Sequence, residues 1–107
     1  MPDLYARLTR MRHAFHRDPE LGFCEERTKA RVAQILRDLG LEVHEGVGVV
    51  GVLKSGSGNR AIGLRADMDA LPIDEASQHD HVSENPGVMH ACAHDGHMTM
   101  LLGAAEK

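Results

Sequence analysis

Residues 90–97 contain the side chains of this chain best suited to bind a transition metal. They read HACAHDGH. Cys92 and His94 are separated by one residue, and in an extended backbone residues two apart point to the same side. A thiolate and an imidazole together suit Zn²⁺ or a similar borderline metal better than Mg²⁺ or Ca²⁺. The spacing therefore predicts that Cys92 and His94 bind one ion.

Asp95 and His97 follow at the start of a predicted helix, and Asp95 can cap that helix while orienting a ligand by a hydrogen bond. The alternative is purely structural. A single Cys in an Ala-rich stretch is usually a small buried side chain, and a single His is usually structural. The density of metal-binding side chains within so few positions favours the metal site.

A pair of carboxylates, Asp67 and Asp69, follows a short apolar segment and precedes Pro72, which ends strand pairing. In open α/β sheets, active sites gather just beyond the carboxyl ends of strands. Arg65 can balance the charge of the pair. The alternative is a solvated turn, where Asp is favoured because it forms local hydrogen bonds.

Other histidines give weaker signals. His16 and Glu20 have the spacing to meet a ligand or each other, but a helix end followed by a proline turn favours structural roles. His44, His79 and His81 are interpreted as surface or loop residues, and the sequence implies no partner for them.

The elements that must position these residues follow from periodicity. Helices are predicted over Leu4–His16 with Asp3 as N-cap, over Glu25–Leu39 with Gly40 as a left-handed C-cap, and over His97–Lys107. Strands are predicted over Leu41–His44, Val49–Leu53 and Ala61–Ala66, with a hairpin turn at Ser55–Asn59 between the last two. Residues 73–87 are predicted to form a loop. The pattern is typical of an α/β fold with helices packed on a mixed sheet.

Composition excludes several functional classes. The 107 residues are 42% apolar and 26% charged, with a formal net charge of -4. Such mild acidity gives no general attraction to nucleic acid or to anionic membranes. No stretch approaches the roughly 20 apolar residues that cross a bilayer, so we expect a cytoplasmic protein. In a reducing compartment Cys24 and Cys92 are not expected to form a disulfide, and Cys24 is expected to pack in the interior.

Three segments together resemble the M20 peptidase family, in its branch of hippurate hydrolases and N-acyl-amino-acid or auxin-conjugate hydrolases. They are the stretch His16–Phe23, the stretch Leu64–Pro72, and Pro86 to His97. The resemblance covers nearly the whole chain in order. It implies hydrolysis of an amide between an acyl group and an amino acid, with a small-molecule substrate and a full-length protein able to form a homo-oligomer.

The resemblance also implies the site. Members use a pair of divalent metals (Zn, Mn, Co or Ni) and a glutamate general base. Cys92 and His94 match metal ligands, and Asp69 is the candidate catalytic residue, carried over as an orienting carboxylate. Asp67 stands where other branches have a ligand histidine. With Asp95 and His97 it is a candidate to support the ligands.

One residue departs from this branch, because Ala93 stands where Gly is usual between the Cys and the His. If Ala93 needs a positive φ, it stores strain of about 1–3 kcal/mol.

Residues 1–107 are therefore interpreted as the N-terminal portion of a catalytic domain, ending within the last helix. The resemblance places the general base, a glutamate ligand and two histidine ligands farther along the chain, so the fragment alone is expected to be inactive. Two alternatives remain. One is a small module that holds a structural ion, with His90 and His97 as further ligands. The other is a non-catalytic remnant in which these side chains only pack.

Overall fold

A computed structural model describes residues 3–106 and has the expected α/β architecture. It contains three helices, α1 (Leu4–Arg17), α2 (Glu26–Asp38) and α3 (His94–Glu106), and two strands, β1 (Glu42–Glu45) and β2 (Val49–Val52). The predicted continuation of the last helix to Lys107 lies outside the described residues. Within residues 3–106, no helix combines the length and apolarity needed to cross a membrane.

The core forms where the apolar faces of the helices meet. α1 packs against α3, and α2 packs against the β1–β2 hairpin and against α3. The buried apolar cluster at this place contains Phe15, Val32, Leu36, Met98 and Leu102. Phe15 belongs to the helical repeat that predicted α1, so the same periodicity that forms this helix also delivers its buried face.

The end of α2 confirms the predicted glycine cap. Gly40 has a φ of 87°, a conformation that costs glycine little because it has no Cβ. The Leu41 amide donates to the Leu36 carbonyl at 3.1 Å, and the Gly40 amide donates to the Arg37 carbonyl at 2.9 Å. This pair of bonds is a Schellman motif, which satisfies the last carbonyls of the helix and turns the chain into β1.

The predicted third strand is wrong. The structure pairs β1 with β2 through a turn at residues 46–48, so the hairpin precedes the predicted turn at Ser55–Asn59. Residues 61–66 have the alternation of a strand but form no ladder with any described residue. Ile62 is 91% exposed and Leu64 is 65% exposed. A strand in a sheet needs a neighbouring strand that accepts and donates its backbone hydrogen bonds. The alternation of apolar residues in the sequence does not show whether such a neighbour exists.

The last helix begins three residues earlier than predicted. α3 starts at His94, and Cys92 and Ala93 form a bend rather than an extended segment. Ala93 has a φ of 66°. The premise that residues 92–94 form an extended backbone is therefore wrong, because the chain bends at Cys92 and Ala93 and enters the helix at His94.

Residues 53–93 contain no helix or strand and are fixed by isolated bridges. Ala70 pairs with Leu21 in the parallel sense, and Leu71 pairs with Met89 in the antiparallel sense. The Ala70 amide donates to the Glu20 carbonyl at 2.8 Å, and Leu71 and Met89 exchange two bonds of 2.9 Å. These bonds bring Asp69 next to the beginning of α3.

Candidate metal centre

His94 and Asp69 form the closest contact among the predicted site residues. His94 Nδ1 lies 2.8 Å from the Asp69 carbonyl oxygen and 3.0 Å from Asp69 Oδ1. Both partner atoms are acceptors, so Nδ1 carries the proton and donates. The lone pair of His94 is then on Nε2, the nitrogen that points away from Asp69 and is able to bind an ion.

Asp67 completes a group of three potential ligands. Its Oδ2 lies 4.0 Å from His94 Nε2, and one ligand atom from each of Asp67, Asp69 and His94 lies within 4.8 Å of the others. Arg65 pairs with Asp67, as its position predicted, although the Arg65 side chain is largely exposed. The structure thus brings together both carboxylates of one motif and the histidine of the other.

Cys92 stands apart from this group. Its side chain is exposed, and it does not belong to the group of ligand atoms formed by Asp67, Asp69 and His94. Cys24 is also exposed, so the expectation that it packs in the interior is wrong. The two thiols are free, as predicted.

Neither Asp95 nor His97 is the partner of His94 Nδ1, which contacts Asp69. Asp95 is buried, and its Oδ2 accepts a hydrogen bond from His16 Nδ1 at 2.8 Å and one from Arg12 at 3.2 Å. The His97 side chain is exposed, and its ring lies 5.8 Å from that of His94 at a tilt of 42°. Asp95 therefore orients a histidine, but the histidine is His16.

His90 is buried with neither ring nitrogen hydrogen-bonded to any described residue. Burial lowers the pKa of His90, against the opposing influence of the Asp95 carboxylate. The imidazole is consequently neutral near neutral pH and keeps a lone pair.

A histidine cluster lies where α1 meets the loop 73–87, and it was missed by sequence reasoning. His81 stacks between His13 and His79, with ring centroids 3.6 Å and 3.7 Å apart. His16 and His79 both contact Glu75. The available signals were the spacing His79-x-His81 and the one-turn spacing of His13 and His16, but nothing local showed that loop and helix meet. Glu20, in contrast, has the expected structural role, because its carboxylate accepts bonds from the Thr28 amide and hydroxyl in the first turn of α2.

Comparison with known proteins gives a consistent match. Residues 63–107 match the model of peptidase family M20/M25/M40. The chain is 51% identical over 107 residues to a hippurate hydrolase of Campylobacter jejuni, covering 97% of this chain and 28% of that protein. It is 47% identical over 102 residues to thermostable carboxypeptidase 2 of Saccharolobus solfataricus, covering 92% and 26%.

A solved structure agrees with the sequence relatives. The YXEP protein of Bacillus subtilis, described as a dinuclear metal binding peptidase from the M20 family, superposes with a TM-score of 0.92 at 34% identity. The match covers 96% of this chain and 30% of that chain. The present chain thus spans between a quarter and a third of the length of the relatives it matches.

Proposed function

Because this chain belongs to the M20 peptidase family, we propose that its full-length protein is a metal-dependent amidohydrolase that cleaves the amide bond of N-acyl amino acids. The observation that carries the proposal is the contact of His94 with Asp69, which leaves His94 Nε2 available to an ion beside Asp67. The name of the Campylobacter jejuni relative, hippurate hydrolase, supports the substrate class.

In this proposal Cys92 and His94 are the metal ligands that this chain contributes. A thiolate, an imidazole and nearby carboxylates form a donor set that suits Zn²⁺, Mn²⁺, Co²⁺ or Ni²⁺, so the residues present fit a divalent ion. Cys92 lies outside the group of ligand atoms formed by Asp67, Asp69 and His94, so its role as a ligand is proposed from the resemblance of residues 86–97 to the family motif. When bound, the ions polarise the amide carbonyl and activate water.

Asp69 has the role of holding His94 in one tautomer and one orientation. A carboxylate or carbonyl that accepts the distal imidazole N–H raises the basicity of the nitrogen that binds the metal. Asp67 adds negative charge on the Nε2 side of the same ring. The isolated chain is proposed to be inactive. The identity of the metal, the acyl and amino-acid preference, the cytoplasmic location and the homo-oligomeric state stay predictions.

The proposal is tested by measuring hydrolysis of hippurate, of other N-acyl amino acids and of short peptides with a free C-terminus. The present chain and a version extended through the downstream coding sequence are each assayed with and without Zn²⁺, Mn²⁺ or Co²⁺. Turnover is expected only in the extended version. Cys92→Ala should lower kcat/KM by more than the roughly 10–100-fold typical of removing a group that only supports a ligand. Cys24→Ala, the other exposed thiol, is the matched control and should leave turnover unchanged.

Three results would contradict or change parts of this proposal. Absence of turnover with every substrate and metal would contradict the amidohydrolase assignment. Equal activity of Cys92→Ala and Cys24→Ala would leave the hydrolase assignment intact but remove Cys92 from the metal site. Cleavage of peptides in preference to N-acyl amino acids would move the substrate class toward that named for the carboxypeptidase relative.

A further inference from the structure

A second group of potential ligands lies where α1 meets the loop 73–87. His16 Nε2 lies 2.9 Å from Glu75 Oε2, and His79 Nε2 lies 3.1 Å from the same oxygen. One ligand atom from each of the three residues lies within 4.8 Å of the others. This group shares no residue with the proposed catalytic site at Asp67, Asp69, Cys92 and His94.

His16 faces more acceptors than a neutral ring can satisfy. Its Nδ1 lies 2.8 Å from Asp95 Oδ2, while its Nε2 lies 2.9 Å from Glu75 Oε2. The two carboxylate side chains are only 4% and 3% exposed. A neutral imidazole has a single N–H, so one of these contacts needs either a second proton or a metal cation between the two residues. A carboxylate that accepts the Nδ1 proton, as Asp95 does, is the usual partner of a metal-binding histidine.

The side chains of Glu75 and His79 are fixed in orientations that suit metal ligands. Glu75 Oε1 accepts a hydrogen bond from the Ser83 amide at 2.7 Å, which fixes the carboxylate and directs Oε2 toward the histidines. The Glu75 side chain is only 3% exposed, so this carboxylate is held within the cluster and not in solvent. Stacking against His81 fixes the ring of His79.

We propose that His16, Glu75 and His79 bind a divalent transition-metal ion such as Zn²⁺ or Co²⁺, distinct from the catalytic metals. Two imidazoles and one carboxylate suit these borderline ions. Bonds of about 2.0–2.1 Å to a tetrahedral ion separate the donor atoms by roughly 3.3 Å. The separations of His16 Nε2 and His79 Nε2 from Glu75 Oε2, 2.9 and 3.1 Å, need to widen only slightly to reach this value. The His79 side chain is 36% exposed, so water can reach this group of residues. The ion would tie the loop 73–87 to α1.

The test counts Co²⁺ sites in a protein from which the proposed catalytic ligands have been removed. The background variant is Cys92→Ser with His94→Gln, made in the present chain and in the extended version. Titration with Co²⁺ alone is followed by calorimetry and by visible absorption. The background is expected to bind one Co²⁺. Adding His79→Gln should weaken that binding at least tenfold. Adding His44→Gln, at an exposed histidine outside the cluster, is the matched control and should not change it.

His79→Gln would weaken Co²⁺ binding either by removing a ligand or by disturbing the structure. A variant that gains a spectroscopic signal separates these two explanations. His79→Cys in the same background replaces the imidazole by a thiolate and should create a thiolate-to-cobalt charge-transfer band in the near ultraviolet. The proposal is overturned if the background binds no Co²⁺, if His79→Gln binds it as tightly as the background does, or if His79→Cys gives no new band. Failure of the catalytic assignment gives a different result, because the background would then bind as many ions as the wild type.

Discussion

Ala93 lies between the two proposed ligands, Cys92 and His94, and its backbone conformation is strained. A left-handed φ of 66° costs an L-residue with a Cβ roughly 1–2 kcal/mol relative to the right-handed region. The conformation lets the chain turn from the bridge at Met89 into α3, since the His97 amide donates to the Ala93 carbonyl at 3.0 Å in the first turn of the helix. The strain anticipated from the sequence is thus present in the structure.

Replacing Ala93 by glycine should stabilise the fold. Glycine adopts a positive φ without the Cβ clash, so we expect Ala93→Gly to raise the free energy of unfolding by about 1 kcal/mol. For a domain of this size that corresponds to a rise in Tm of roughly 4–8 °C. Thermal and denaturant unfolding measure the change. Ala91→Gly, an exposed residue two positions earlier without a positive φ, is the control and should be neutral or destabilising. A lower Tm for Ala93→Gly would show that the backbone at Ala93 is not strained.

The carboxylate of Asp18 joins the C-terminal end of α1 to α2 and to the loop 73–87. Asp18 accepts two hydrogen bonds from Arg27, at 2.9 Å from Nε and 2.7 Å from Nη2. It also accepts one from Asn85 at 2.8 Å. The bonds from Arg27 outweigh the opposing effect of burial and lower the pKa of Asp18 to about 2. The ion pair therefore links three parts of the chain that are distant in sequence.

This linkage predicts a specific acid sensitivity. Since the folded pKa of Asp18 is below its ordinary value of 3.8, the unfolded chain binds the proton more readily. The stabilisation is present above about pH 4 and is lost as the pH falls toward about 2. Because Arg27 is 62% exposed, solvent screening limits the contribution to roughly 1 kcal/mol or less.

Asp18→Asn should accordingly lower stability at pH 7 by that amount and flatten the decline between pH 4 and 2. Denaturant unfolding at a series of pH values measures both effects. Asp80→Asn, at an exposed loop position, is the matched control and should reproduce the wild-type pH profile. An unchanged profile for Asp18→Asn would show that the ion pair does not contribute in solution.

The elements also show which inferences a sequence supports. The periodicity of α1 and α2, the cap at Gly40 and the positions of β1 and β2 were predicted within one or two residues, because each depends on neighbours in the chain. The hairpin was assigned to the wrong pair because residues 61–66 alternate like a strand but have no described partner. The contacts of His16 with Glu75 and Asp95 join residues 59 and 79 positions apart, and no local pattern reports such contacts.

At the scale of the whole molecule, several large apolar side chains are exposed in the part of the chain that contains no helix or strand. Ile62 and Leu64 are exposed, and so are Leu53 and Ile73 on either side of them. The described residues extend over 49 × 34 × 19 Å, so much of the chain lies near a surface. Exposed apolar residues in an extended segment offer a surface for association with another chain.

This distribution predicts that the chain self-associates through residues 61–66. Ile62→Lys should reduce the dependence of apparent size on concentration and reduce binding of a hydrophobic dye. It should change the free energy of unfolding by no more than about 0.5 kcal/mol, because the side chain contributes little to the core. Light scattering, dye fluorescence and denaturant unfolding provide the measurements. Asn59→Lys adds the same charge at a neighbouring exposed position and is the control for a general effect of charge. If both substitutions reduce association equally, the cause is net charge and not the exposed apolar segment. If Ile62→Lys destabilises the chain by several kcal/mol, Ile62 is buried in solution.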